Sequence, residues 1–501
     1  MSKPLQEYLE KTPPDAVSAS FVSYIAQLQE VSAVMPHVAE VIVKELEAQR
    51  SHLKLIASEN YCSYAVQAAM GNFLTDKYAE GYPQHRYYGG CENIDEIESA
   101  AVEEAKALFG AEHAYVQPHS GADANLIAYW AILSAKIEEP ALAAYGETNL
   151  SNLSEAQWED LRHKLGNQKL LGLDYYSGGH LTHGYRQNVS ARMFQAYTYT
   201  VNKETGLLDY DSIEKQAMEL KPLIFLAGYS AYPRSINFRR LREIADKCGA
   251  VFMVDMAHFA GLVAGKAFTG DEDPVKWADV VTTTTHKTLR GPRGALILCK
   301  KEFADVVNKG CPLVQGGPLA HIMAAKAVAL REARSEQYQQ YAKKVVENSR
   351  ALAAECQRLG LIVQSGGTDN HLLLLNIRDT HSLTGRQGEK AMFECGVTLN
   401  RNSLPFDPNG PWWTSGLRIG VPAVTTLGMG EKEMKEIAAI VKLVLDGTKA
   451  ATTEKGTLSK GNVVIDEAVK AESQKRVHAL LNSFVLYPEL DLQFLKKRFV
   501  R

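Results

Sequence analysis

Lys287 is the residue whose surroundings in the sequence most favour chemistry. The run VVTTTT before His286 and Lys287 is β-branched and favours a strand, and the glycines and proline after it predict a loop. Lys287 is therefore expected just beyond a strand end, where immobilising a long cation is entropically unfavourable. Such a lysine is useful if its amine reacts with a carbonyl to form a Schiff base. The plain alternative is a solvated lysine at a loop entrance.

Two more strands are predicted to end near Lys287. Apolar runs at residues 223–227 and 250–254 alternate with helical segments, as βαβ units do. In such sheets ligands bind beyond the carboxyl ends of the strands. The side chains that follow the three strands are therefore expected to share one crevice: Ser230, Asp255, His258 and Lys287.

A further strand, residues 113–117, runs into the segment PHSGADAN and then into a helix. The backbone amides at such a helix start, together with the hydroxyl of Ser120, can receive a phosphate group. Ser120 can equally be only an N-cap, with Asp123 three residues on. Both interpretations of Ser120 and Gly121 stay open on the sequence pattern.

Two histidines, His180 and His183, lie between glycines in the segment GGHLTHG. Their spacing could place both on one metal ion, but no acid or cysteine nearby completes a ligand set. We predict no metal site, and we expect instead a histidine that stacks on or hydrogen-bonds to a ligand.

Arg418 lies inside the apolar, strand-like segment LRI. A buried arginine requires a partner, and a bidentate carboxylate is the usual one.

The loop at residues 75–92 holds four tyrosines and three glycines. Within it, Glu80 and Tyr88 suit proton transfer or ligand stacking. Packing at a subunit interface would explain such a loop equally well.

The bulk composition excludes several classes of protein. With 501 residues, 46% hydrophobic and 23% charged, the chain has room for two or three domains with large cores. A net charge of −3 gives no reason to expect binding to nucleic acid or to an anionic membrane. No apolar run approaches the ~20 residues that cross a bilayer, and the N-terminus, rich in charges and prolines, is not a secretory signal. Seven scattered cysteines without a Cys-x-x-Cys pair favour a cytoplasmic protein.

Patterning divides the chain into an N-terminal arm (1–65), a large domain (66–335) and a small C-terminal domain (336–501). One long helix at 322–350 is expected to bridge the domains, and a segment at about 140–172 is interpreted as a surface insertion around a capped helix. An arm helix from Val38 to Arg50 is predicted from apolar residues at helical spacing, which are Val38, Val41, Ile42 and Leu46.

Pyridoxal phosphate makes five demands that these residues can meet together. It requires a lysine for its aldehyde, an acid at the pyridine nitrogen, a phosphate cup, a flat contact for the ring and a cation for the substrate carboxylate. In that order the candidates are Lys287, Asp255, Ser120 with Gly121, His180 and Arg418. Each feature alone is common, but their combination argues against a merely solvated Lys287.

The same segments resemble the serine hydroxymethyltransferase family, in the family's order, from about residue 50 to residue 430. The motifs that carry the resemblance are LIASENY, KYAEGYP, RYYGG, QPHSGADAN, GGHLTHG, SAYP, VDMAHFAGL, VVTTTTHKTLRGPRG, QGGPL, SGGTDNH and TSGLRIG. The resemblance implies an α/β enzyme of the aspartate-aminotransferase type (fold type I), with a mainly parallel sheet, flanking helices and a smaller C-terminal α/β domain. It further implies a homodimer, or a tetramer, that moves the hydroxymethyl carbon between serine and tetrahydrofolate and leaves glycine.

The resemblance also implies roles for individual residues. Lys287 would carry pyridoxal phosphate covalently, and His286, Glu80 and Tyr88 would join it as catalytic residues. The cofactor contacts would be Ser120, Gly121, His180, Ser230, Asp255, His258 and Thr284, with Tyr78 and Gly317 arriving from the neighbouring subunit. The substrate and folate contacts would be Ser58, Arg418, Tyr175, Gly179, His180, Leu181, Asn402, Gly410, Pro411 and Trp412.

Three departures from the family pattern bear on folate affinity more than on the basic chemistry. Ala122 replaces a usual second hydroxyl, the segment 140–172 is longer than in bacterial enzymes, and Tyr175-Tyr176-Ser177 replaces a more apolar stretch. The alternative function keeps the cofactor without folate, as an aldolase or racemase acting on small amino acids. A non-catalytic binding protein would leave Lys287 and Asp255 at strand ends unexplained, and an absorbance scan would separate it from both enzymes.

Overall fold

The computed structural model describes residues 3–500 of the chain. The N-terminal arm consists of helices α1 (Pro4–Lys11), α2 (Ala19–Val34) and α3 (Pro36–Ser51), followed by the short strand β1 (Leu53–Lys54). The strands of the large domain are β2 (Gly81–Tyr82), β3 (His85–Arg86), β4 (His113–Tyr115), β5 (Lys169–Leu173), β6 (Gln195–Tyr199), β7 (Ile224–Gly228), β8 (Val251–Asp255), β9 (Val280–Thr284) and β10 (Ala295–Cys299). Its helices are α4 (Tyr64–Ala68), α5 (Glu92–Phe109), α6 (Gly121–Leu133), α7 (Glu139–Tyr145), α8 (Glu155–Gly166), α9 (Ser190–Met193), α10 (Tyr210–Leu220), α11 (Phe238–Cys248), α12 (Ala260–Ala264), α13 (Pro274–Trp277), α14 (Ala304–Asn308), α15 (Gly310–Leu313) and α16 (Ala320–Ala333).

The rest of the chain continues with a second α/β region. Its elements are α17 (Glu336–Arg358), β11 (Ile362–Val363), β12 (Leu372–Asn376), α18 (Ile377–His381), α19 (Gly385–Glu394), β13 (Val397–Thr398), β14 (Asn400–Asn402), α20 (Gly410–Trp413), β15 (Gly416–Gly420), α21 (Pro422–Thr426), α22 (Glu431–Asp446), β16 (Thr448–Thr452), β17 (Leu458–Ile465), α23 (Glu467–Ser483) and α24 (Leu492–Phe499).

The large domain is built on a seven-stranded sheet in the order β4-β10-β9-β8-β7-β5-β6. Its strands from β9 to β6 pair in parallel, and β10 runs antiparallel to both β4 and β9. Strands β7 to β10 are buried along their whole length, which explains their continuous apolar or β-branched sequences. The predicted α/β architecture with a mainly parallel sheet is confirmed.

A smaller antiparallel sheet, β11-β12-β15-β14, forms the core of the C-terminal region, and β16 and β17 form a separate hairpin. Strand β1 of the arm pairs in parallel with β13, so the arm is tied to this region. Arg418 lies on β15, opposite Leu374 of β12 and Asn400 of β14.

The prediction of one long helix at 322–350 is wrong. Helix α16 ends at Ala333 and α17 begins at Glu336, because the hydroxyl of Ser335 accepts a hydrogen bond from the backbone N–H of Tyr338 and caps the new helix. The break coincides with the boundary expected at residue 336, and the three-part domain division stays a prediction.

Helix α3 exists as predicted, but a different face of it is buried. Ala39, Val43 and Leu46 are buried, whereas Val38 and Ile42 are exposed, as is Val41. The buried face packs against α2 and α24, in a cluster whose members from the two ends of the chain are Phe21, Ile25, Leu28, Leu486, Leu490, Leu495 and Phe499.

The segment at 140–172 contains the expected capped helix. Ser154 and Gln157 form a capping box at the start of α8, Leu161 is buried and Trp158 is largely exposed. Residues 169–172 belong to strand β5 of the seven-stranded sheet, so the surface part of the segment ends before Lys169. Across residues 3–500, no helix is both long enough and apolar enough to cross a membrane.

Candidate active site

The predicted crevice lies at the carboxyl ends of β7, β8 and β9. Asp255 ends β8, and Ser230 and Lys287 follow β7 and β9 within three residues. A cavity of about 410 Å³ opens there, within the usual size range of small-molecule sites. A second cavity of about 510 Å³ adjoins it, because the two share Ser58, His180, Ser230, His258 and Lys287 in their walls.

Asp255 is buried at the base of the inner cavity and is held by three donors. Its Oδ2 accepts hydrogen bonds from Asn125 Nδ2 at 2.9 Å and from His183 Nε2 at 3.2 Å, and Oδ1 accepts from the backbone N–H of Ala257 at 3.0 Å. Burial alone would raise the pKa of Asp255, but the hydrogen bond and charge of His183, with the charge of Lys287, hold that pKa well below its usual range. The carboxylate is therefore ionised at neutral pH and suits a protonated ring nitrogen.

Lys287 follows β9 in a turn that two hydrogen bonds to its carbonyl oxygen hold in place. Its carbonyl oxygen accepts hydrogen bonds from Asn60 Nδ2 at 3.0 Å and from the backbone N–H of Arg290 at 3.1 Å. Burial lowers the pKa of the Lys287 amine to about 8, against the opposing effect of Asp255, and the charge of Arg418 lowers it further. A buried amine that is partly neutral near physiological pH is suited to attack a carbonyl.

His180 belongs to a hydrogen-bonded chain that ends at Asp255. Its Nδ1 lies 2.7 Å from the hydroxyl of Thr182 and accepts from the backbone N–H of Thr182 at 3.3 Å. Asn125 Nδ2 donates to the Thr182 hydroxyl at 2.8 Å as well as to Asp255. Burial lowers the pKa of His180 to about 4, so its imidazole is neutral and can face an aromatic ring.

The expectation that no acid approaches the two histidines is wrong. The ligand atoms of His180, His183 and Asp255 lie within 4.8 Å of one another, because the fold brings strand β8 to the histidine loop. The Asp255 carboxylate is already engaged by His183 and Asn125, and the absence of a metal stays a prediction.

The side of the inner cavity where a phosphate group is expected lies at the start of α6. Ser120 caps this helix by accepting from the backbone N–H of Asp123 at 3.2 Å, and Gly121 begins it. A Cβ on Gly121 would lie 2.8 Å from Thr284 Cγ2, so glycine permits the close approach of the helix start to β9. Thr284, His286 and Arg293 complete this side of the wall. A helix N-terminus, a hydroxyl and Arg293 fit a phosphate group, just as Asp255 and Lys287 fit the ring and aldehyde of pyridoxal phosphate.

Arg418 enters the wall of the outer cavity from β15. Its Nη1 donates to the carbonyl oxygen of Ser230 at 2.8 Å, and its Nε donates to Asn400 Oδ1 at 3.1 Å. Burial lowers the pKa of its guanidinium to about 10, which leaves it protonated at neutral pH. No carboxylate among residues 3–500 pairs with Arg418, so its remaining donors are available to an anionic ligand.

His258 also lines both cavities, and its partner was not foreseen. Its Nδ1 lies 3.1 Å from Nε2 of His371, and burial lowers the pKa of both imidazoles, that of His371 to about 3. Two neutral imidazoles therefore share one proton in this hydrogen bond. Asn125, Thr182 and His183 are likewise supporting residues for which no such role was predicted.

The outer cavity collects most of the expected substrate contacts. Its wall includes Ser58, Tyr175, Gly179, Leu181, Asn402 and Pro411, together with His180 and Arg418. Gly410 and Trp412 lie outside this wall, and the Trp412 ring contacts the guanidinium groups of Arg386 at 4.8 Å and Arg401 at 5.6 Å.

Four predicted site residues form a separate cluster on the surface. Glu80 accepts hydrogen bonds from Tyr88 at 3.2 Å and from Tyr78 at 3.4 Å, and a Cβ on Gly317 would lie 3.4 Å from the Tyr78 ring. Tyr78 and Tyr88 are 56% and 47% exposed, and none of the four residues lines the two cavities. The structure thus does not bring Glu80 or Tyr88 to Lys287 within one subunit.

Comparison with known proteins agrees with this geometry. The sequence model of the family described as serine hydroxymethyltransferase matches residues 31–143 and 163–441. The unmatched stretch between them falls within the segment at 140–172.

Three relatives that carry the name serine hydroxymethyltransferase illustrate the similarity. The Treponema pallidum protein is 64% identical over 497 residues, which are 99% of this chain and 86% of that protein. The Salinispora tropica protein is 54% identical over 475 residues, or 95% of this chain and 99% of that protein. A Chlamydia trachomatis protein is 50% identical over 475 residues, or 95% of each chain. Because the family model and these relatives match most of the chain, and because the α/β fold and the cavities agree with them, the chain belongs to the serine hydroxymethyltransferase family, whose fold is type I of the pyridoxal phosphate enzymes.

Proposed function

We propose that this protein interconverts serine plus tetrahydrofolate with glycine plus 5,10-methylenetetrahydrofolate, using pyridoxal phosphate. The observation that carries the proposal is the meeting of Lys287, Asp255 and Arg418 around two adjoining cavities, in a chain of this family. The inner cavity suits the cofactor, and the outer one provides room for a second reactant.

Pyridoxal phosphate, when bound, withdraws electrons from the α-carbon of the amino acid. Lys287 would hold the cofactor covalently, and Asp255 would keep a proton on its ring nitrogen. Ser120, Gly121 and Thr284 would receive the phosphate. His180 would lie against the ring, where its neutral imidazole adds no competing charge beside Asp255.

The substrate carboxylate would be held by Arg418, with Ser58 in the same wall of the outer cavity. Folate would occupy the outer cavity, where Tyr175 and Leu181 face Asn402 and Pro411. This arrangement places the amino acid between the cofactor and folate, as transfer of a carbon between them requires.

We further propose that the protein works as a homodimer or a larger symmetric assembly with shared sites. The position of the hydrogen-bonded cluster supports this: Tyr78 and Tyr88 are exposed, Glu80 is partly buried between them, and none of the three lines the cavities of its own subunit. In a symmetric dimer each subunit would supply the cluster to the site of its partner.

A cytoplasmic location is proposed because the cysteines form no disulfide bonds. All seven are free thiols and six of them are buried, as expected for a protein of a reducing compartment.

The central test compares two rates in wild type and in Glu80→Gln. Wild type should convert serine in a tetrahydrofolate-dependent reaction and cleave β-hydroxy amino acids without folate. Glu80→Gln should retain the folate-independent cleavage while its folate-dependent rate falls by about 10²–10⁴, the usual effect of a lost acid or base. Glu96→Gln, an exposed change on α5, is the control and should alter neither rate. If wild type ignores tetrahydrofolate, an aldolase or racemase is the better description, and a colourless protein would exclude both enzymes.

Subunit mixing tests the shared site directly. Lys287→Ala and Glu80→Gln subunits are each expected to lack folate-dependent activity. In their mixed dimer, one site would combine an intact Lys287 with an intact Glu80 from the other chain. Equal random mixing should therefore restore roughly a quarter of the wild-type sites, because half the dimers are mixed and each holds one intact site. If Glu80 served its own subunit, mixing would restore none.

A further inference from the structure

Lys326, on α16, is a fully buried lysine that the proposed reaction does not use. Its Nζ donates hydrogen bonds to three backbone carbonyl oxygens, those of Val116 at 2.5 Å, Pro118 at 2.9 Å and Ala295 at 2.8 Å. Three acceptors require three N–H donors, and among the forms of a lysine only the ammonium has three. A buried charge persists only with such compensation, so the contact is specific rather than incidental.

The three carbonyl groups lie next to two of the segments that line the inner cavity. Val116 and Pro118 lie between β4 and the start of α6, directly before Ser120. Ala295 begins β10, directly after the loop that holds Lys287, and its backbone N–H donates to the carbonyl oxygen of Pro118 at 3.0 Å. One ammonium group therefore joins the phosphate side of the cavity to the lysine side.

We propose that Lys326 is a positioning residue for the cofactor, whose ammonium fixes the segment leading to Ser120 and Gly121 against the loop that holds Lys287. The phosphate and the aldehyde of one rigid molecule must reach these two places at once, so their separation has to be fixed. The inference rests on the proposed use of pyridoxal phosphate.

The charged surroundings of Lys326 fit this role. Burial lowers its pKa to about 7, and Glu98 on α5 and Asp123 on α6 oppose that effect. The carbonyl oxygens supply the remaining compensation, and they are the atoms that the ammonium holds in place.

The test measures the dissociation constant of pyridoxal phosphate for the full-length apoprotein by absorbance titration. Lys326→Met removes the ammonium and keeps a side chain of similar length. It should weaken binding by about tenfold or more, because the two segments are then no longer held at the separation that the cofactor requires. The control is Leu330→Ala, one turn further along α16 and equally buried, which removes packing but no cavity contact. Its thermal stability should fall while its cofactor affinity stays near that of wild type.

A second variant displaces the ammonium without removing its charge. A Cβ on Gly294 would lie 2.6 Å from Lys326 Cε and 3.1 Å from its Nζ, so Gly294→Ala should push the side chain off the carbonyl oxygens and weaken cofactor binding similarly. Because both changes act through one group, the double variant should bind no more weakly than Lys326→Met alone, a non-additivity that general destabilisation does not produce.

Each outcome decides one question. The positioning role would be overturned if Lys326→Met bound pyridoxal phosphate as tightly as wild type. It would also be overturned if Leu330→Ala lost as much affinity for pyridoxal phosphate as Lys326→Met. If Lys326→Met does not fold, unchanged affinity in Gly294→Ala would overturn it instead. A wild-type protein that binds no pyridoxal phosphate would refute the proposed function and not this inference alone.

Discussion

Removal of the Arg418 guanidinium is expected to separate substrate binding from cofactor binding. Of its five N–H donors, one serves the carbonyl oxygen of Ser230 and one serves Asn400, which leaves three for a ligand. A substrate carboxylate can take two of them side by side. Each hydrogen bond to a charged group contributes roughly 1.5–3 kcal/mol, so the lower values sum to about 3 kcal/mol, or roughly a hundredfold in affinity.

The assay is a titration of the coloured, cofactor-loaded protein with serine and with glycine, followed by absorbance. Arg418→Ala should bind both amino acids roughly a hundredfold more weakly while its affinity for pyridoxal phosphate is nearly unchanged. Arg418→Lys should fall between wild type and Arg418→Ala, because a lysine keeps the charge but lacks the planar pair of donors.

Arg401→Ala is the matched control on the neighbouring strand β14. Arg401 also lines the outer cavity, but its guanidinium is already paired with Glu389. Its loss should leave serine affinity near that of wild type. If the Arg401 and Arg418 variants weaken serine binding equally, or if Arg418→Ala binds serine normally, the assignment of the carboxylate to Arg418 is refuted.

Three further predictions concern the lysine and the inserted segment. Lys287→Ala should carry no cofactor after borohydride reduction, and a label found on another lysine of the wild type would contradict the assignment. Because the folded protein lowers the pKa of Lys287 from 10.5 to about 8, the rate at which apoprotein and pyridoxal phosphate form the coloured species should rise up to about pH 8 and then level off. A rate that climbs steadily to pH 10 would mean that the reacting amine has an ordinary pKa. Replacing residues 151–167 with a short Gly/Ser linker should lower the free energy of unfolding by roughly 1.5–3 kcal/mol, because the buried Leu161 is lost. The absorbance spectrum of the cofactor should stay unchanged. A colourless or insoluble product would show that α8 supports the core.

The proximity of Asp255, Ser230 and Lys287 could be predicted from the sequence, because it depends only on where three neighbouring strands end. Apolar runs mark the strands, and the carboxyl ends of parallel strands share one edge of a sheet. The partners of these residues could not be predicted in the same way. Asn125 and His371 reach the site from elements far apart in sequence. Both end segments that carry the family resemblance, QPHSGADAN and SGGTDNH, but those segments alone do not indicate which side chains they contact.

Two errors have local physical causes. The alanine-rich pattern of α16 and α17 is continuous, so its periodicity concealed the capping hydroxyl of Ser335, although Ser335 followed by a glutamate is itself a start signal. In α3 two faces of the helix are apolar, and periodicity alone cannot tell which of them α2 and α24 cover.

The packing of α24 on the arm has a consequence for the order in which the chain folds. Residues 486–499 are synthesised long after the arm, yet they complete the cluster that buries Phe21, Ile25 and Leu28. Arg50 fixes the junction by donating to the carbonyl oxygen of Leu486 at 2.8 Å. During synthesis the arm helices therefore expose an apolar face until residues 486–499 have emerged, long after the sheet of the large domain. A nascent chain that terminates before residue 486 never covers this face and so remains a substrate for chaperones and proteases.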